Sequence, residues 1–204
     1  MRISHPCAAQ AANEAVALQP LALRLLKNCL YDAKGLRQAL GHGAVETAIT
    51  LLRSYDSDVR REAAAALAAL CAAEAAKDAA IKAGAVATLV ALLRDADLST
   101  RTAAAAALVS ATTTDEGKRA MVPLGADDDL EAIDLLVGLL REGEPALTTN
   151  ALKCVANVAV HPRARDRLRT SPDCLALLDA AVAGGDALNA KHATIAKTAV
   201  LWEP

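Results

Sequence analysis

Residues that could carry out catalysis or bind a metal are few and scattered in this sequence. The four histidines lie far from one another: His5, His42, His161 and His192. No His-x-x-x-His or Cys-x-x-Cys pair supplies the ligand spacing of a zinc site, and no glycine-rich loop offers its amides to a phosphate. The spacing therefore predicts neither a metal site nor a cofactor.

One thiol and one imidazole have a spacing that could form a nucleophile and its base. Cys154 and His161 are seven residues apart and could meet near one helix end. Such a pair normally needs a third group that orients the base, and none is evident here. The alternative interpretation is a packed thiol beside a surface imidazole. The sequence therefore predicts that the protein is not an enzyme.

The cysteines are odd in number and widely spaced, mostly within apolar helical patterns: Cys7, Cys29, Cys71, Cys154 and Cys174. Free cysteine behaves as a small buried hydrophobic residue, and disulfide frameworks belong to oxidising compartments. The pattern predicts reduced thiols and a reducing compartment such as the cytoplasm.

One basic cluster, HPRARDRLR, runs from His161 to Arg169. It contains Arg163, Arg165 and Arg167, and members three or four residues apart would share a helical face. Arginine suits two-point contacts with carboxylates, so these three residues are candidate contacts for an acidic partner surface. The alternative interpretation is the solvated side of a short helix.

An acidic insertion of six residues contains Asp127, Asp128 and Asp129, with Glu131 just after it. These aspartates are candidates for a partner contact or a cation site. The spacing of an EF-hand loop is missing. The alternative is a solvated loop tip, where insertions are well tolerated.

Composition and charge favour a helical, near-neutral protein. A quarter of the residues are Ala, there is no Phe, and the formal net charge is −2. Ala and Leu are strong helix formers, which predicts the all-α class. A near-neutral chain lacks the basic patch of a nucleic-acid binder, and its apolar runs are shorter than the roughly 20 residues of a membrane span. The first ten residues, MRISHPCAAQ, lack the apolar core of a signal peptide.

The elements that position these side chains recur along the chain. GAVETAITLLR from Gly43 and GAVATLVALLR from Gly84 are 41 residues apart, and SDVRREAAAALAALC from Ser57 matches LSTRTAAAAALVSAT from Leu98 at the same shift. The pattern of each unit predicts three helices. In the second unit these helices lie at about 58–71, 75–83 and 85–94. The predicted organisation is a single domain: a partial repeat 1–19, units at about 20–57, 58–98, 99–145 and 146–187, and a C-terminal helix 188–204.

Helix boundaries are marked by side chains of three kinds. The candidate N-caps are Asp58, Ser99 or Thr100, Thr114 and Ser171. The prolines expected in first turns are Pro20, Pro145, Pro162 and Pro172. The glycines expected in the left-handed conformation, where a short helix ends, are Gly43, Gly84 and Gly125.

Three helices every 41 residues, with a glycine before the Leu-Leu helix, resemble the armadillo family. GAVATLVALLR is similar to the second helix of an armadillo repeat, and LKCVANVAV, from Leu152, is similar to the third. The resemblance implies a right-handed α-solenoid, a superhelix of three-helix repeats. Repeats of this kind bury their apolar faces only by stacking on each other.

In armadillo proteins that hold extended peptides, such as importin-α, the third helix carries a ladder of asparagines on the concave face, often with tryptophan four residues earlier. The matching asparagine positions here are Asn28, Ala69, Ser110 and Asn157. The matching tryptophan positions are Arg24, Ala65, Ala106 and Lys153. The resemblance therefore implies two candidate peptide contacts, Asn28 and Asn157. The alternative is that these amides bridge adjacent units or satisfy local backbone groups.

A narrower resemblance covers the chain from about Leu18 to its end. AAAAALVSATTTDEGKRAM from Ala103, with its Thr-rich turn and Glu116-Gly117-Lys118, and the ending IAKTAVLWEP resemble an armadillo component of the radial spoke of motile cilia. That group has further repeats before this region, so a shortened relative or a fragment is expected.

The narrower resemblance implies a non-catalytic scaffold in the cytoplasm and the axoneme of a cilium or flagellum. Its partners would be other radial spoke proteins in a large assembly, with no nucleic acid, membrane, cofactor or small-molecule substrate. The alternative is a soluble adaptor that binds a linear peptide in its concave groove.

Overall fold

The computed structural model describes residues 18–28, 30, 33–122 and 130–203. These residues form helices joined by short turns, with no β-strand among them, which confirms the predicted all-α class. In chain order the helices are α1 (18–28), α2 (Ala33–Gly41), α3 (Ala44–Leu51), α4 (Ser57–Leu70), α5 (Glu74–Lys82), α6 (Ala85–Leu92), α7 (Leu98–Ala111), α8 (Asp115–Ala120), α9 (Glu131–Leu139), α10 (Pro145–Val158), α11 (Pro162–Thr170), α12 (Cys174–Ala183) and α13 (Ala187–Leu201).

Four long helices form the spine of this structure. α4 packs on α7, α7 on α10, and α10 on α13, and two shorter helices precede each of them along the chain. The bounds predicted for three helices of one unit, 58–71, 75–83 and 85–94, lie within two residues of α4, α5 and α6. The three-helix period expected from the sequence is therefore present in the structure.

Alanine makes the contact between neighbouring long helices close. Ala63 and Ala64 of α4 and Ala104 and Ala105 of α7 are fully buried. Because the alanine methyl group is short, the backbones of α4 and α7 can approach each other closely. Many dispersion contacts then form between them without bulky side chains. Buried leucines fill the remaining space in α4, α7 and α10, such as Leu108 of α7, whose replacement by Ala would cost about 2–5 kcal/mol.

The long helices begin at acidic N-caps, and the sequence analysis placed those of α4 and α7 two or three residues too late. The capping residues are Asp56, Asp97, Glu144 and Asp186, whose carboxylates accept from amides of the first turn. Asp58, Ser99 and Thr100 lie inside the first turn, where helical backbone turns the side chain away from the free amides. Ser171 ends α11 instead of starting α12. Thr114 is confirmed as the N-cap of α8, accepting from the Gly117 amide at 3.1 Å.

Glycine and proline mark the remaining boundaries. Gly43 and Gly84 have φ angles of 72° and 76° and begin α3 and α6, as predicted for the left-handed conformation. Gly125 lies outside the described residues. Pro145 and Pro162 are confirmed in the first turns of α10 and α11. Pro20 lies within α1, and Pro172 lies in the turn before α12 rather than in a helix.

Two arginines at equivalent positions tie successive repeats together. Arg60 and Arg101 each follow the capping acid by four residues, and each donates to the two carbonyls six and five residues before it. Arg60 also binds both carboxylate oxygens of Asp95, at 2.7 and 3.1 Å. Arg101 reaches Glu142 at 2.6 Å. The hydrogen bond from Arg60 lowers the pKa of Asp95, so this bridge is formed by a charged carboxylate at neutral pH.

Candidate partner-binding surface

A shallow groove of about 380 Å³ crosses the long helices on one side of the molecule. Its lining includes Lys27 of α1, Ala65 of α4, Ala106 of α7 and Asn150 of α10. We call this side of the long helices the inner face. Ala65 and Ala106 hold two of the positions at which the armadillo resemblance expects tryptophan. The groove is therefore wide and has small side chains where that resemblance places aromatic walls.

Charged residues occupy the α1 end of the inner face. Glu62 of α4 accepts from Arg24 at 2.8 Å, and Lys27 and Arg61 lie at 3.6 and 3.5 Å from its oxygens. Burial alone would raise the pKa of Glu62, but the Arg24 hydrogen bond and the nearby cations outweigh it and lower the pKa. Arg61 also binds the carboxylate of Asp58 at 2.5 Å, so three cations face two carboxylates at this end of the groove.

The two predicted ladder asparagines differ in their surroundings. Asn28 lies at the last described position of α1 and is exposed. Asn157 of α10 donates to the carbonyl of Val109 at 3.3 Å and to the hydroxyl of Thr112 at 3.1 Å, both at the end of the preceding long helix. Asn157 therefore bridges adjacent repeats, as one of the two interpretations expected. Its role in binding a peptide stays a prediction.

The sequence analysis missed two further amides that bridge adjacent long helices, one between α10 and α7 and one between α13 and α10. Asn150 donates to the carbonyl of Thr102 at 3.4 Å. Asn189 of α13 is buried, accepts from the hydroxyl of Thr149 at 2.5 Å and donates to the carbonyl of Pro145 at 3.3 Å. No sequence signal identifies them, because their partners lie 40 or more residues away.

The arginine cluster lies on α11 and has contacts within the chain. Arg167 binds both carboxylate oxygens of Asp134 in α9, at 2.8 and 2.6 Å. Arg165 is only 7% exposed, and its Nη1 donates to the carbonyls of Ala159 and Val160 at 3.2 and 3.5 Å. Arg163 is half-buried. The sequence spacing puts Arg163 and Arg167 on one helical face without Arg165, and the structure directs Arg165 inwards. Their contact with a partner stays a prediction.

An exposed aromatic residue ends the inner face, and the sequence analysis did not select it as a binding residue. Trp202 follows α13, is 54% exposed, and lies over the guanidinium of Arg165, 4.9 Å from ring centroid to Cζ. Arg169 fixes the backbone there by donating to the carbonyls of Val200 and Trp202 at 2.7 and 2.6 Å. Two grooves flank the ring, one reaching Val160 and the other reaching Ile195. The available signal was that this is the only Trp of the chain.

The Thr-rich turn between α7 and α8 is tightly packed. The hydroxyl of Thr113 donates to the carbonyl of Ser110 at 2.8 Å and accepts from the ammonium of Lys77 at 3.2 Å. Gly117 faces the carbonyl of Ala111 so closely that an added Cβ would lie 2.6 Å from the carbonyl carbon, where real Cβ atoms stay beyond 3.0 Å. The motif that carries the radial spoke resemblance is therefore also a packing requirement of this turn.

The thiol that the sequence offered as a possible nucleophile is shielded from solvent and unreactive. Cys154 is fully buried, and its Sγ contacts the carbonyl oxygen of Ala105 at 3.6 Å. Burial raises the pKa of this thiol to about 12, so almost no thiolate exists at neutral pH. Burial and the nearby Arg163 and Arg119 lower the pKa of His161. Cys71 and Cys174 are also buried and free.

The remaining predictions concern the acidic insertion, metal binding and membrane spans. Asp127, Asp128 and Asp129 are outside the described residues. Within the ranges that the structure covers, no three histidine, cysteine or acidic side chains are grouped so as to hold a metal ion. No helix in those ranges combines the length and the apolar character that crossing a membrane requires.

One sequence-family model matches the chain. It is the armadillo/β-catenin-like repeat, and it covers residues 74–112, which are α5, α6, α7 and the residue after them. No curated protein matches the sequence.

Several solved structures share the fold. An engineered protein of the Northeast Structural Genomics Consortium is 28% identical, with a TM-score of 0.79 over 90% of this chain and 75% of that one. A designed armadillo repeat protein in complex with the peptide (KR)4 is 23% identical, with a TM-score of 0.74 over 86% and 72%. The armadillo repeats only protein of Plasmodium falciparum is 15% identical, with a TM-score of 0.71 over 89% and 79%. Together with the repeat match, these similarities confirm the armadillo-type α-solenoid.

Proposed function

We propose that this chain, an armadillo-repeat solenoid by its fold, acts as a non-catalytic protein-interaction scaffold. The observation that supports this role best is the inner face. A groove crosses α1, α4, α7 and α10, and an exposed tryptophan with two grooves of its own follows α13. Extended grooves of stacked repeats suit protein partners, whereas the buried thiol of Cys154 does not suit chemistry.

The specific role that we propose is a subunit of the radial spoke in the axoneme of motile cilia or flagella, with other spoke proteins as partners. The support is the sequence resemblance to the radial spoke head 14 homologue. Its most specific parts are the Thr-rich turn with Glu116, Gly117 and Lys118, and the ending IAKTAVLWEP. Localisation to the axoneme follows from the same proposal.

Cross-linking mass spectrometry on intact axonemes tests the compartment and the neighbour together. We expect cross-links between the lysines of this chain and radial spoke proteins, and we expect the protein to remain with the axoneme after detergent extraction. Lys153 and Lys191 are suitable reporters, since both lie near His192 of α13 and form no ion pair with a described residue. Complete extraction with the soluble fraction would refute the axonemal role.

The second candidate is an adaptor that binds a linear peptide in the groove. The designed armadillo neighbour is in complex with (KR)4, which is basic. Here Arg24, Lys27 and Arg61 face the carboxylates of Glu62 and Asp58, and this excess of one positive charge favours an acidic peptide instead.

Fluorescence anisotropy with (KR)4 and (DE)4 peptides tests this adaptor role. We expect binding of (DE)4 in preference to (KR)4, and its loss when Asn28 and Asn157 are both replaced by Ala. The single variant Asn157→Ala is the matched control, because it separates the loss of a repeat bridge from the loss of a ligand contact. Unchanged affinity in the double variant would exclude the groove asparagines as peptide contacts.

A further inference from the structure

Trp202 is held in place and yet left in contact with solvent. Its ring rests on a guanidinium, and its carbonyl accepts from Arg169. Val160, at the equivalent position after α10, is 61% exposed, and Ile195 of α13, seven residues before Trp202, is 47% exposed. A rigid tryptophan among exposed aliphatic residues is typical of the centre of a protein interface. We call Val160, Ile195 and Trp202, together with Arg165, the Trp202 patch.

Arg165 has the geometry of the bridging arginines but lacks their carboxylate. Like Arg60 and Arg101, it follows its N-cap residue by four positions and donates to the carbonyls six and five residues before it. Arg60 and Arg101 each continue to a carboxylate, Asp95 and Glu142.

Arg165 has no carboxylate partner among the residues that the structure describes. Its buried Nε also has no hydrogen-bond acceptor there. A buried guanidinium normally has an anionic partner, because the loss of hydration is otherwise uncompensated. Arg165 lines a cavity of about 320 Å³ whose other walls are Ala159, Val160, Ala199 and Trp202. A group entering this cavity therefore reaches an apolar wall and a guanidinium without a described carboxylate partner together.

Charges around the patch are complementary to an acidic ligand. Lys153 and Lys191 form no ion pair with any described residue, and burial together with these two ammonium groups lowers the pKa of His192 between them. Two carboxylates are adjacent in sequence to residues of the patch, since Asp166 follows Arg165 and Glu203 follows Trp202. Arg165, Arg169 and the two lysines outnumber these two carboxylates, so the surroundings attract a negative segment.

We infer that the Trp202 patch binds a linear segment of a partner protein in which a carboxylate lies next to a bulky apolar side chain. The carboxylate meets Arg165 in the cavity, as Asp95 meets Arg60, and the apolar side chain packs on the exposed ring of Trp202. This inference rests on the proposed scaffold function and does not depend on an axonemal location.

Selection from a displayed library of random twelve-residue peptides tests the chemistry of the ligand. The full chain serves as bait, and selected peptides are then synthesised. We expect enrichment of Asp or Glu beside Leu, Ile, Phe or Trp. Because Trp202 is the only tryptophan, its emission reports on the patch directly, and we expect a blue shift when a Trp-free peptide covers the ring. Enrichment of basic peptides, or binding without a change in Trp202 emission, would overturn the inference.

Variants connect the binding to the patch. We expect Trp202→Ala and Arg165→Met to weaken binding by about tenfold or more. Ile195→Glu is the second variant, because it adds a negative charge to the patch but leaves the Arg165–Trp202 stack intact. Tyr55→Ala removes a fully exposed aromatic residue far away in the sequence and is the matched control.

A circular dichroism melt of each variant separates unfolding from loss of contact. Full affinity in both Trp202→Ala and Ile195→Glu would overturn the inference. If peptides bind through the Trp202 patch but this protein is absent from axonemes, only the proposed radial spoke role is rejected. If the chain cross-links to spoke proteins in axonemes but the Trp202 patch binds no peptide, only the inference about the patch is rejected.

Discussion

Replacing Gly117 by Ala tests how tightly the Thr-rich turn is built. Gly117 lies in the first turn of α8, and its amide donates to the Thr114 hydroxyl at 3.1 Å. An added Cβ would lie 2.6 Å from the carbonyl carbon of Ala111 and nearer still to its oxygen. Both atoms are backbone, so no side-chain rotation can relieve the overlap. α8 must move away from the end of α7.

The expected cost follows from two opposing effects. Alanine favours a helix over glycine by about 1 kcal/mol, which would stabilise α8. Overpacking in a closed site costs about 1–3 kcal/mol and more when backbone must shift, and Met121, fully buried after α8, would move as well. Since the overlap is with backbone on a short helix, we expect a net destabilisation of about 2 kcal/mol. For a chain of this length that corresponds to a fall in Tm of about 4–8 °C.

Urea unfolding followed by circular dichroism measures the change, and Gly138→Ala is the matched control. Gly138 lies inside α9 with no atom within 4 Å of an added Cβ. The control should be stabilised by about 0.5–1 kcal/mol from helix propensity alone. If Gly117→Ala were as stable as the control, the close approach to Ala111 would not be a constraint on this turn.

Three further predictions concern groups between or within repeats. Asp95→Asn should cost about 1–3 kcal/mol at pH 7. Because Arg60 lowers the pKa of Asp95 when the chain is folded, that stabilisation is complete above about pH 4 and is lost as pH falls through the lowered pKa. Urea titrations at several pH values should show the variant and the wild type converging in acid, and a deficit independent of pH would contradict the reasoning. Asn157→Ala should lower the free energy of unfolding by about 1 kcal/mol, and no loss in urea unfolding would mean that its bridge to α7 contributes nothing. Cys154 should react with a thiol reagent no faster than the chain unfolds, and rapid labelling of the native protein would contradict its burial.

The repeat architecture could be predicted because its signals lie within short segments of the sequence. The GAV…LLR segments and the left-handed glycines Gly43 and Gly84 depend on neighbours within a few residues. The N-caps were placed wrongly because Asp56 and Asp58 are both plausible acceptors in the sequence. Only the extended backbone of Asp56 decides between them.

The partner surface could be predicted less well, because its contacts are distant in sequence. Arg165 and Arg167 look alike in HPRARDRLR. One lies under Trp202, 37 residues later, and the other binds Asp134, 33 residues earlier. No local pattern encodes either contact. The position of Asn157 within its repeat could be predicted from the sequence. Its hydrogen bond to the hydroxyl of Thr112 could not be predicted.

The arginine bridges also bear on how the solenoid responds to force. Arg60 and Arg101 span successive repeats, beside an alanine contact that has almost no slack. Glu142 is 33% exposed and Asp95 only 6%, so salt screens the Arg101–Glu142 bridge more than the Arg60–Asp95 bridge. We therefore expect the junction between α7 and α10 to be the more compliant of the two at high salt.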